Sequence, residues 1–265
     1  MKQKNVLELQ QVTHVYVNEK GAFVAIENFS LSIAEGEFLA LVGPSGCGKT
    51  TVLNLLAGLF QPTYGQVLFG GEKVDGPSRK VGYMLQQDYL FPWRSIEQNT
   101  LIGLEIQHSL KKESKADAER LLEELGLPGA GKRYPHELSG GMRQRVALAR
   151  TLVTNPSVLL LDEPFSALDF HIKLQLEELV QSTLRRLGKP AVLVTHDLSE
   201  AAAMCDRVIV LGRNPGHIRC EVNIPDSLRL ASPQIARTLP EFQSVFEKLT
   251  SELDVIDAEG GISNG

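Results

Sequence analysis

Apolar positions fall in two rhythms along this chain, and the switches between them predict most of its elements. Val6 to Val17 alternates apolar and polar residues and reads as a strand; Asn18 to Gly21 is a hairpin turn, and Phe23 to Ile33 supplies further strand. Phe38-Leu-Ala-Leu-Val42 is a short all-apolar run, the pattern of a strand covered on both faces. Val52, Leu55, Leu56 and Leu59 then recur at helical spacing. Gln61-Pro62 breaks the chain, and Gly65 to Phe69 and Val81 to Leu85 return to strand. Val158 to Leu161 and Pro190 to Thr195 are again apolar strands. Between them a helix from about Phe170 to Leu187 keeps Ile172, Leu176, Leu179 and Val180 on one stripe and stops at Gly188. Arg207 to Leu211 and Ile218 to Val222 form a hairpin over Asn214-Pro-Gly216.

The stretch from Asp88 to Thr154 has a different character. Ser95-Ile-Glu-Gln98 is a capping box for a helix carrying Leu101 and Leu104. Ser114-Lys-Ala-Asp117 caps another, with Leu121, Leu122 and Leu125 on one face and Gly126 as its stop. A third helix runs through Val146 and Ala149. Helices here interrupt the strand–helix alternation, so a helical lobe (88–154) is expected inside a domain spanning 1–224. The tract Tyr89-Leu-Phe-Pro-Trp93 at its entrance is either a local core cluster or a docking surface for another protein. Pro225 to Pro233 reads as a linker. Pro240 then starts an amphipathic helix with Phe242, Val245, Phe246, Leu249 and Leu253 on one face. Glu241, Glu247 and Glu252 deny it the basic face of a lipid binder, so it should pack on the chain itself. The linker and helix fill 225–258, and 259–265 is expected to be a disordered tail.

Candidate chemistry gathers at the ends of the apolar strands. Gly43-Pro-Ser-Gly-Cys-Gly-Lys-Thr50 fits the phosphate-binding pattern G-x-x-x-x-G-K-[ST] and stands between a buried strand and a helix. The glycines let backbone N–H groups approach phosphate oxygens, Lys49 places a compact charge on the β- and γ-phosphates, and the Thr50 hydroxyl can ligate Mg²⁺. Asp162 and Glu163 follow an apolar strand: Asp162 is placed to hold Mg²⁺, and Glu163 to orient or deprotonate the attacking water. Asp197-Leu-Ser-Glu200 is a capping box for the helix that follows His196. Other residues admit two readings. Tyr16 suits either stacking on a nucleobase or a half-buried place in a sheet. Of Gln86-Gln87, a glutamine at the strand end can reach a metal ion or its water, Gln86 being preferred because it follows the strand directly, or the pair is a solvated loop. Ser139-Gly-Gly141 can hold an anion at a helix start, or be a plain turn. His196 leaves a strand end beside the carboxylates, where ligands gather in open α/β sheets, or is structural. His14, His108, His136, His171 and His217 lack companions at metal-ligand spacing and receive no role. Cys47, inside the phosphate loop, is either a small side chain that fits or a thiol whose alkylation blocks ATP; the expectation is that ATP protects it from maleimide.

Composition narrows the classes. Of 265 residues, 43% are hydrophobic, enough for a substantial core, and the net charge of −5 carries no nucleic-acid footprint. Three widely spaced cysteines suit a reducing compartment. The start of the chain leads into strand residues rather than an apolar signal region, and no apolar run approaches the ~18 residues of a membrane span. The expectation is a soluble cytoplasmic chain that meets a membrane only through a partner.

Taken together, the phosphate loop, Gln86, Leu138-Ser-Gly-Gly-Met142, Asp162-Glu163-Pro164, Ser166-Ala-Leu-Asp169 and His196 stand in the order of an ABC transporter ATPase subunit, which the chain resembles from about Leu7 to Val222. The resemblance implies an α/β P-loop NTPase fold: a mixed β core, an antiparallel β subdomain and an inserted helical lobe. It implies a homodimer, or a pair with a related ATPase subunit, holding two ATP with Mg²⁺ at the interface. Tyr16 looks like the adenine-stacking aromatic. Gly43, Pro44, Ser45, Gly46, Cys47, Gly48, Lys49, Thr50 and Thr51 match the nucleotide loop, Thr50, Gln86 and Asp162 the metal side. Ser139, Gly140 and Gly141 match the contact made across the dimer to the γ-phosphate. Glu163 matches the catalytic carboxylate, Asp169 the dimer-contact loop and His196 the γ-phosphate switch. Leu90-Phe-Pro-Trp-Arg94 with Asn99, and Arg213-Asn-Pro-Gly-His-Ile218, resemble the importer group for nitrate, sulfonates and taurine. That likeness implies membrane permease subunits docking near Gln86–Arg94, a solute-binding protein acting indirectly, and a peripheral place on the cytoplasmic face of the inner membrane. The alternative, a soluble ABC ATPase acting on ribosomes or DNA, fits poorly with one cassette, no sustained heptads and a negative charge. A P-loop GTPase or kinase would leave Leu138–Met142 without a purpose, and the guanine-reading Asn-Lys-x-Asp tract is missing.

Overall fold

The computed structural model describes residues 5–19, 21–166 and 168–261. Lys20 of the expected turn, Ala167 within Ser166–Asp169, and residues 1–4 and 262–265 lie outside the described residues. The elements run β1 (Asn5–Asn18), β2 (Gly21–Ala34), β3 (Phe38–Val42), α1 (Lys49–Leu56), β4 (Tyr64–Phe69), β5 (Glu72–Lys73) and β6 (Val81–Met84). The helices α2 (Ile96–Ile106), α3 (Ser114–Glu124) and α4 (Gly140–Leu152) come next, followed by β7 (Val158–Asp162), α5 (Phe170–Leu187), β8 (Ala191–Val194), α6 (Leu198–Met204), β9 (Arg207–Gly212) and β10 (His217–Asn223). Three helices close the chain: α7 (Asp226–Arg229), α8 (Pro233–Ala236) and α9 (Pro240–Gly261).

The strands form two sheets. One has the order β2-β1-β4-β5 and is antiparallel throughout; the other has the order β10-β9-β3-β8-β7-β6, parallel except for β10. β3 and β8 are buried along their whole length, as their apolar sequences require, and each face meets its own core. Phe38, Ala40, Val42, Leu159, Leu161 and Leu193 pack toward α4, α5, α6 and α9. Leu39, Leu41, Val158, Leu160 and Val192 pack toward α1 and toward Leu7, Phe29 and Ile33 of the antiparallel sheet. A slip of one residue would exchange the two sets, so the register is strongly specified. That register places the C-terminal ends of β6, β7, β8 and β3 along one edge: Met84 pairs with Leu161, Asp162 with Val194 and Leu41 with Val194. Gln86, Glu163, His196 and the loop from Gly43 therefore emerge side by side.

Several expectations need correction. α1 ends at Leu56 because Gly58 turns the chain at φ +72°, so Leu59 is exposed and not on the helix face. The capping box at Ser95 and Gln98 forms, but the one expected at Ser114 does not: Glu113 is the N-cap, and the Ser114 hydroxyl accepts from the Lys111 N–H. Asp197 caps α6 through Ser199 and Glu200, yet the Glu200 side chain turns away to Thr195 instead of completing the box. The Pro225–Pro233 stretch is not a bare linker; α7 lies within it, with Leu228 buried. α9 continues through Glu259 to Gly261, past the expected start of the tail. Its Val245, Leu249 and Ile256 are buried in the core beside α6.

Candidate active site

The phosphate loop leaves β3 at Gly43 with φ +155°. A Cβ there would stand 2.8 Å from the Leu211 carbonyl and 2.8 Å from Cys47 Sγ, so only glycine fits. Gly48, at φ +97°, occupies the N-cap of α1 and supplies no side-chain cap. The first-turn N–H groups of α1 are thus left for an outside acceptor, and the helix dipole favours an anion. Lys49 Nζ lies within the loop and donates to the carbonyls of Gly43 (2.7 Å) and Pro44 (3.0 Å). Thr50 is exposed, whereas Thr51 is buried with its hydroxyl 3.1 Å from that of Tyr16. Cys47 is fully buried, and burial raises its thiol above the usual range despite the opposing charge of Lys49. This favours the small-side-chain reading over the reactive one.

Glu163 is the hub of the opposite wall. It leaves β7 with φ +44°, a left-handed conformation that costs a non-glycine residue roughly 1–3 kcal/mol. Its Oε2 accepts from the Gln86 amide at 3.1 Å and lies 3.2 Å from His196 Nδ1. The Gln86 amide also reaches Ser166 Oγ at 3.2 Å, and that hydroxyl donates back to the Glu163 carbonyl at 3.0 Å. Gln86, Glu163, Ser166 and His196, separated widely in sequence, form one cluster. Asp162 ends β7, half-buried, with the Tyr83 hydroxyl 3.4 Å from Oδ2. Burial, and next the charge of Glu163, raise its carboxyl above the ordinary carboxylate range; burial and Asp162 likewise hold the Tyr83 hydroxyl in its protonated form.

These walls enclose a cleft of about 360 Å³ lined by Gly43, Pro44, Ser45, Lys49, Glu163 and His196, with Leu253 of α9 completing the wall. Nothing in the local sequence marks Leu253; the approach of α9 is purely tertiary. A larger cleft of about 490 Å³ lies at the other ends of the strands, around Glu37, Asp206, Arg207 and Glu221. Arg207 is bound to Glu37 at 2.6 Å and to Glu221 at 3.2 Å, and Asp206 accepts from the Phe38 N–H at 2.7 Å.

Tyr16 sits beside the loop in an aromatic group that the sequence reading missed. His14 stacks on Phe60 at 5.5 Å, and Tyr16 meets both rings edge-on at 4.8 and 5.9 Å. A strand alternation that puts His14 and Tyr16 on one face was the available signal.

Ser139, Gly140 and Gly141 do not line the cleft. Ser139 caps α4, accepting from the Met142 N–H at 3.3 Å. A Cβ on Gly141 would lie 2.2 Å from Ile172 Cγ2, whereas one on Gly140 would meet nothing closer than 3.8 Å. Packing within the chain explains the second glycine and leaves the first without an internal reason. The same helix holds the loop that follows Gln86. Gln144 donates to the Gln86 carbonyl at 3.0 Å, Arg143 to Asp88 Oδ2 at 2.9 Å, and Arg150 to the carbonyls of Asp88 and Tyr89. Buried Asn99 pins the other end, accepting from the Phe91 N–H and donating to Phe91, Arg94 and Ser95 carbonyls. The aromatic tract divides: Leu90 enters the core, while Tyr89 and Trp93 are exposed, Trp93 at 72%.

Among the described residues, no three or more His, Cys, Asp or Glu side chains form a metal cage. A hard divalent ion held by one carboxylate, a hydroxyl and substrate phosphates needs none. Nor is any helix among the described residues long and apolar enough to cross a membrane.

Comparison with known proteins shows the family and the fold. The ABC transporter family model matches residues 26–166. The uncharacterized ABC transporter ATP-binding protein YtlC of Bacillus subtilis is 50% identical over 96% of this chain and 97% of its own. The nitrate import ATP-binding protein NrtD of Synechocystis is 40% identical, covering 93% of this chain and 94% of its own. The taurine import ATP-binding protein TauB of Escherichia coli K12 is 37% identical, covering 92% and 96%. Among solved structures, the dimeric bacterial ABC transporter cassette MJ0796 superposes with a TM-score of 0.73 at 32% identity, covering 83% of this chain and 99% of that one. The same cassette in a dimeric post-hydrolysis state, bound to ADP and Pi, gives 0.73 at 31%.

Proposed function

Because this chain belongs to the ABC transporter ATP-binding family, we propose that it is the motor subunit of an importer, hydrolysing Mg-ATP at an interface between two copies. The observation that carries the reading is a division. Lys49, Glu163 and His196 share one cleft, while the anion-binding start of α4 lies outside it. A chain that cannot close its own site needs a second copy to complete it.

Each residue then has a task. The first-turn N–H groups of α1, the loop from Gly43 to Thr51 and Lys49 take the phosphates. Tyr16 supports the base. Thr50, Asp162 and Gln86 would hold Mg²⁺, which supplies charge neutralisation to the phosphate oxygens. The fit rests on Asp162, whose charge is penalised by burial and by Glu163 and would be relieved by a cation. Glu163 takes a proton from the attacking water, Gln86 and His196 fix its carboxylate, and His196 faces the γ-phosphate. Ser139 and Gly140 of the second copy bring hydroxyl and N–H donors to the same phosphate; the unexplained space at Gly140 supports this role. Asp169 belongs to the surface between the copies.

The exposed Tyr89 and Trp93, held on a loop wired to α4, suit docking by permease subunits near Gln86–Arg94. The relatives' names support a small anionic or zwitterionic solute such as nitrate, a sulfonate or taurine, selected by a binding protein and the permease. In this reading the subunit sits peripherally on the cytoplasmic face of the membrane, and residues 1–224 form the ATPase domain, with 225–258 appended to it. Nucleic acid plays no part.

Light scattering of the Glu163→Gln protein with and without Mg-ATP tests the proposal. An ATP-dependent shift from monomer to dimer, lost in Glu163→Gln/Ser139→Arg, is expected. A protein that binds ATP yet stays monomeric under both conditions would count against the shared site.

A further inference from the structure

His196 has an exposed imidazole, 66% accessible, yet it must hold a fixed place against Glu163. What aims it is the backbone on either side, and both neighbours belong to a buried polar network. Thr195, buried, accepts from the Asp197 N–H at 3.0 Å and donates its own proton to Glu200. Asp197 Oδ1 accepts from the N–H groups of Ser199 and Glu200 at 2.8 and 3.3 Å. The network converges on Lys173 of α5, whose ammonium lies 2.6 Å from Asp197 Oδ2 and 2.5 Å from Glu200 Oε1. Glu200 is 3% exposed, so without a cation its charge would be stranded beside that of Asp197.

Lys173 occupies the first turn of α5, and its N–H donates to the Asp169 carbonyl at 2.9 Å. The preceding residue, Ile172, donates its N–H to Asp169 Oδ1 and presses on Gly141 at the start of α4. One helical turn thus touches the Asp169 loop, the anion-binding start of α4 and the His196 loop. Two of these are surfaces that the proposed dimer brings against the other copy.

We propose that Lys173 is a positioning residue for hydrolysis: its bridge to Asp197 and Glu200 locks His196 to the helix that Asp169 caps, so that His196 meets Glu163 only when that turn is seated. The inference rests on the role given to His196 above. Lys173 does not line the cleft and acts through the loop alone. Arg237, which follows α8, bonds Ser199 Oγ at 2.7 Å and buried Glu177 at 2.8 Å and so ties the start of α6 to α5 behind that loop.

Steady-state ATP hydrolysis by the full chain tests this, using Lys173→Met, Lys173→Arg, His196→Ala and their combinations. The paired variant Lys173→Met/Glu200→Gln removes the cation together with the buried carboxylate; the Asp197 carboxylate that remains is 32% exposed and keeps its bonds from the Ser199 and Glu200 N–H groups, so no buried charge is stranded to impair folding. Both methionine variants should lose on the order of tenfold to a hundredfold in kcat, the scale of a misplaced catalytic group. KM for ATP should stay within about twofold, because the phosphate loop is untouched. Lys173→Arg should retain most of the activity. In the His196→Ala background Lys173→Met should cost nothing further, which a general loss of stability would not reproduce. Wild-type kcat in the folded paired variant would overturn the proposal, as would losses that multiply with His196→Ala. If His196→Ala itself keeps wild-type kcat, the role of His196 fails and Lys173 falls with it. If His196→Ala is impaired and the Lys173 variants are not, only the role of Lys173 fails.

Discussion

His196 Nδ1 and the Gln86 amide meet on the same oxygen, Oε2 of Glu163, at 3.2 and 3.1 Å. The two residues come from different strand ends and fix the carboxylate from both sides. Replacing Glu163 by Gln should lower ATP hydrolysis by roughly 10²–10⁴-fold, the span of general-base catalysis, with binding of ATP retained. Gln86→Ala keeps the Glu163 carboxylate and removes one of its two anchors and one of the proposed Mg²⁺ contacts, so it should cost less. Single-turnover hydrolysis beside equilibrium binding of a fluorescent ATP analogue separates the two effects.

The two glycines that start α4 should respond differently to alanine. Gly141→Ala drives a methyl to 2.2 Å from Ile172 and should destabilise the fold by about 1–3 kcal/mol, read from the urea midpoint. Gly140→Ala has room and should leave the midpoint level, or raise it by roughly 0.4–1 kcal/mol, while weakening ATP-driven pairing. A Gly140→Ala protein that pairs normally would remove Gly140 from the shared site.

Cys47 should resist alkylation with or without ATP. Its thiol is buried and raised, so the thiolate fraction at neutral pH is small. Maleimide should label half-buried Cys220 first and reach Cys47 only on unfolding. Fast labelling of native Cys47, blocked by ATP, would restore the reactive reading.

Asp162 carries a stability penalty that depends on pH. Burial and the charge of Glu163 raise its folded pKa above the ordinary 3.8. A raised carboxyl contributes stability below its unfolded value and loses that contribution as pH rises through the folded value. Asp162→Asn should therefore raise the melting temperature at neutral pH, with the gain disappearing as pH falls toward 3.8. The same variant should lose Mg²⁺-dependent hydrolysis. A lower melting temperature at neutral pH would show that the ionised carboxylate stabilises the free protein.

The sequence by itself determined much of this protein. Short apolar runs such as Phe38–Val42 and Val158–Leu161 read as buried strands from their length and flanking residues, and glycine spacing ahead of Lys49 carries its own chemistry, because these signals are local. The order of motifs then pointed to the family and to the strand–helix scheme. Boundaries were less legible. Leu59 continued the helical rhythm of α1, but Gly58 ended the helix; Ser114 looked like a cap, but its hydroxyl turned back to Lys111. The tertiary structure alone decided which residues share a site. Parallel pairing of β6, β7, β8 and β3 sets Gln86, Glu163, His196 and Gly43 along one edge. No local pattern reports that pairing. Lys173 and Leu253 were invisible for the same reason: each sits at an ordinary helical position, and its partners come from elements distant in the chain. Charge bridges and cleft walls depend on which surfaces meet, and that is settled by packing the whole core.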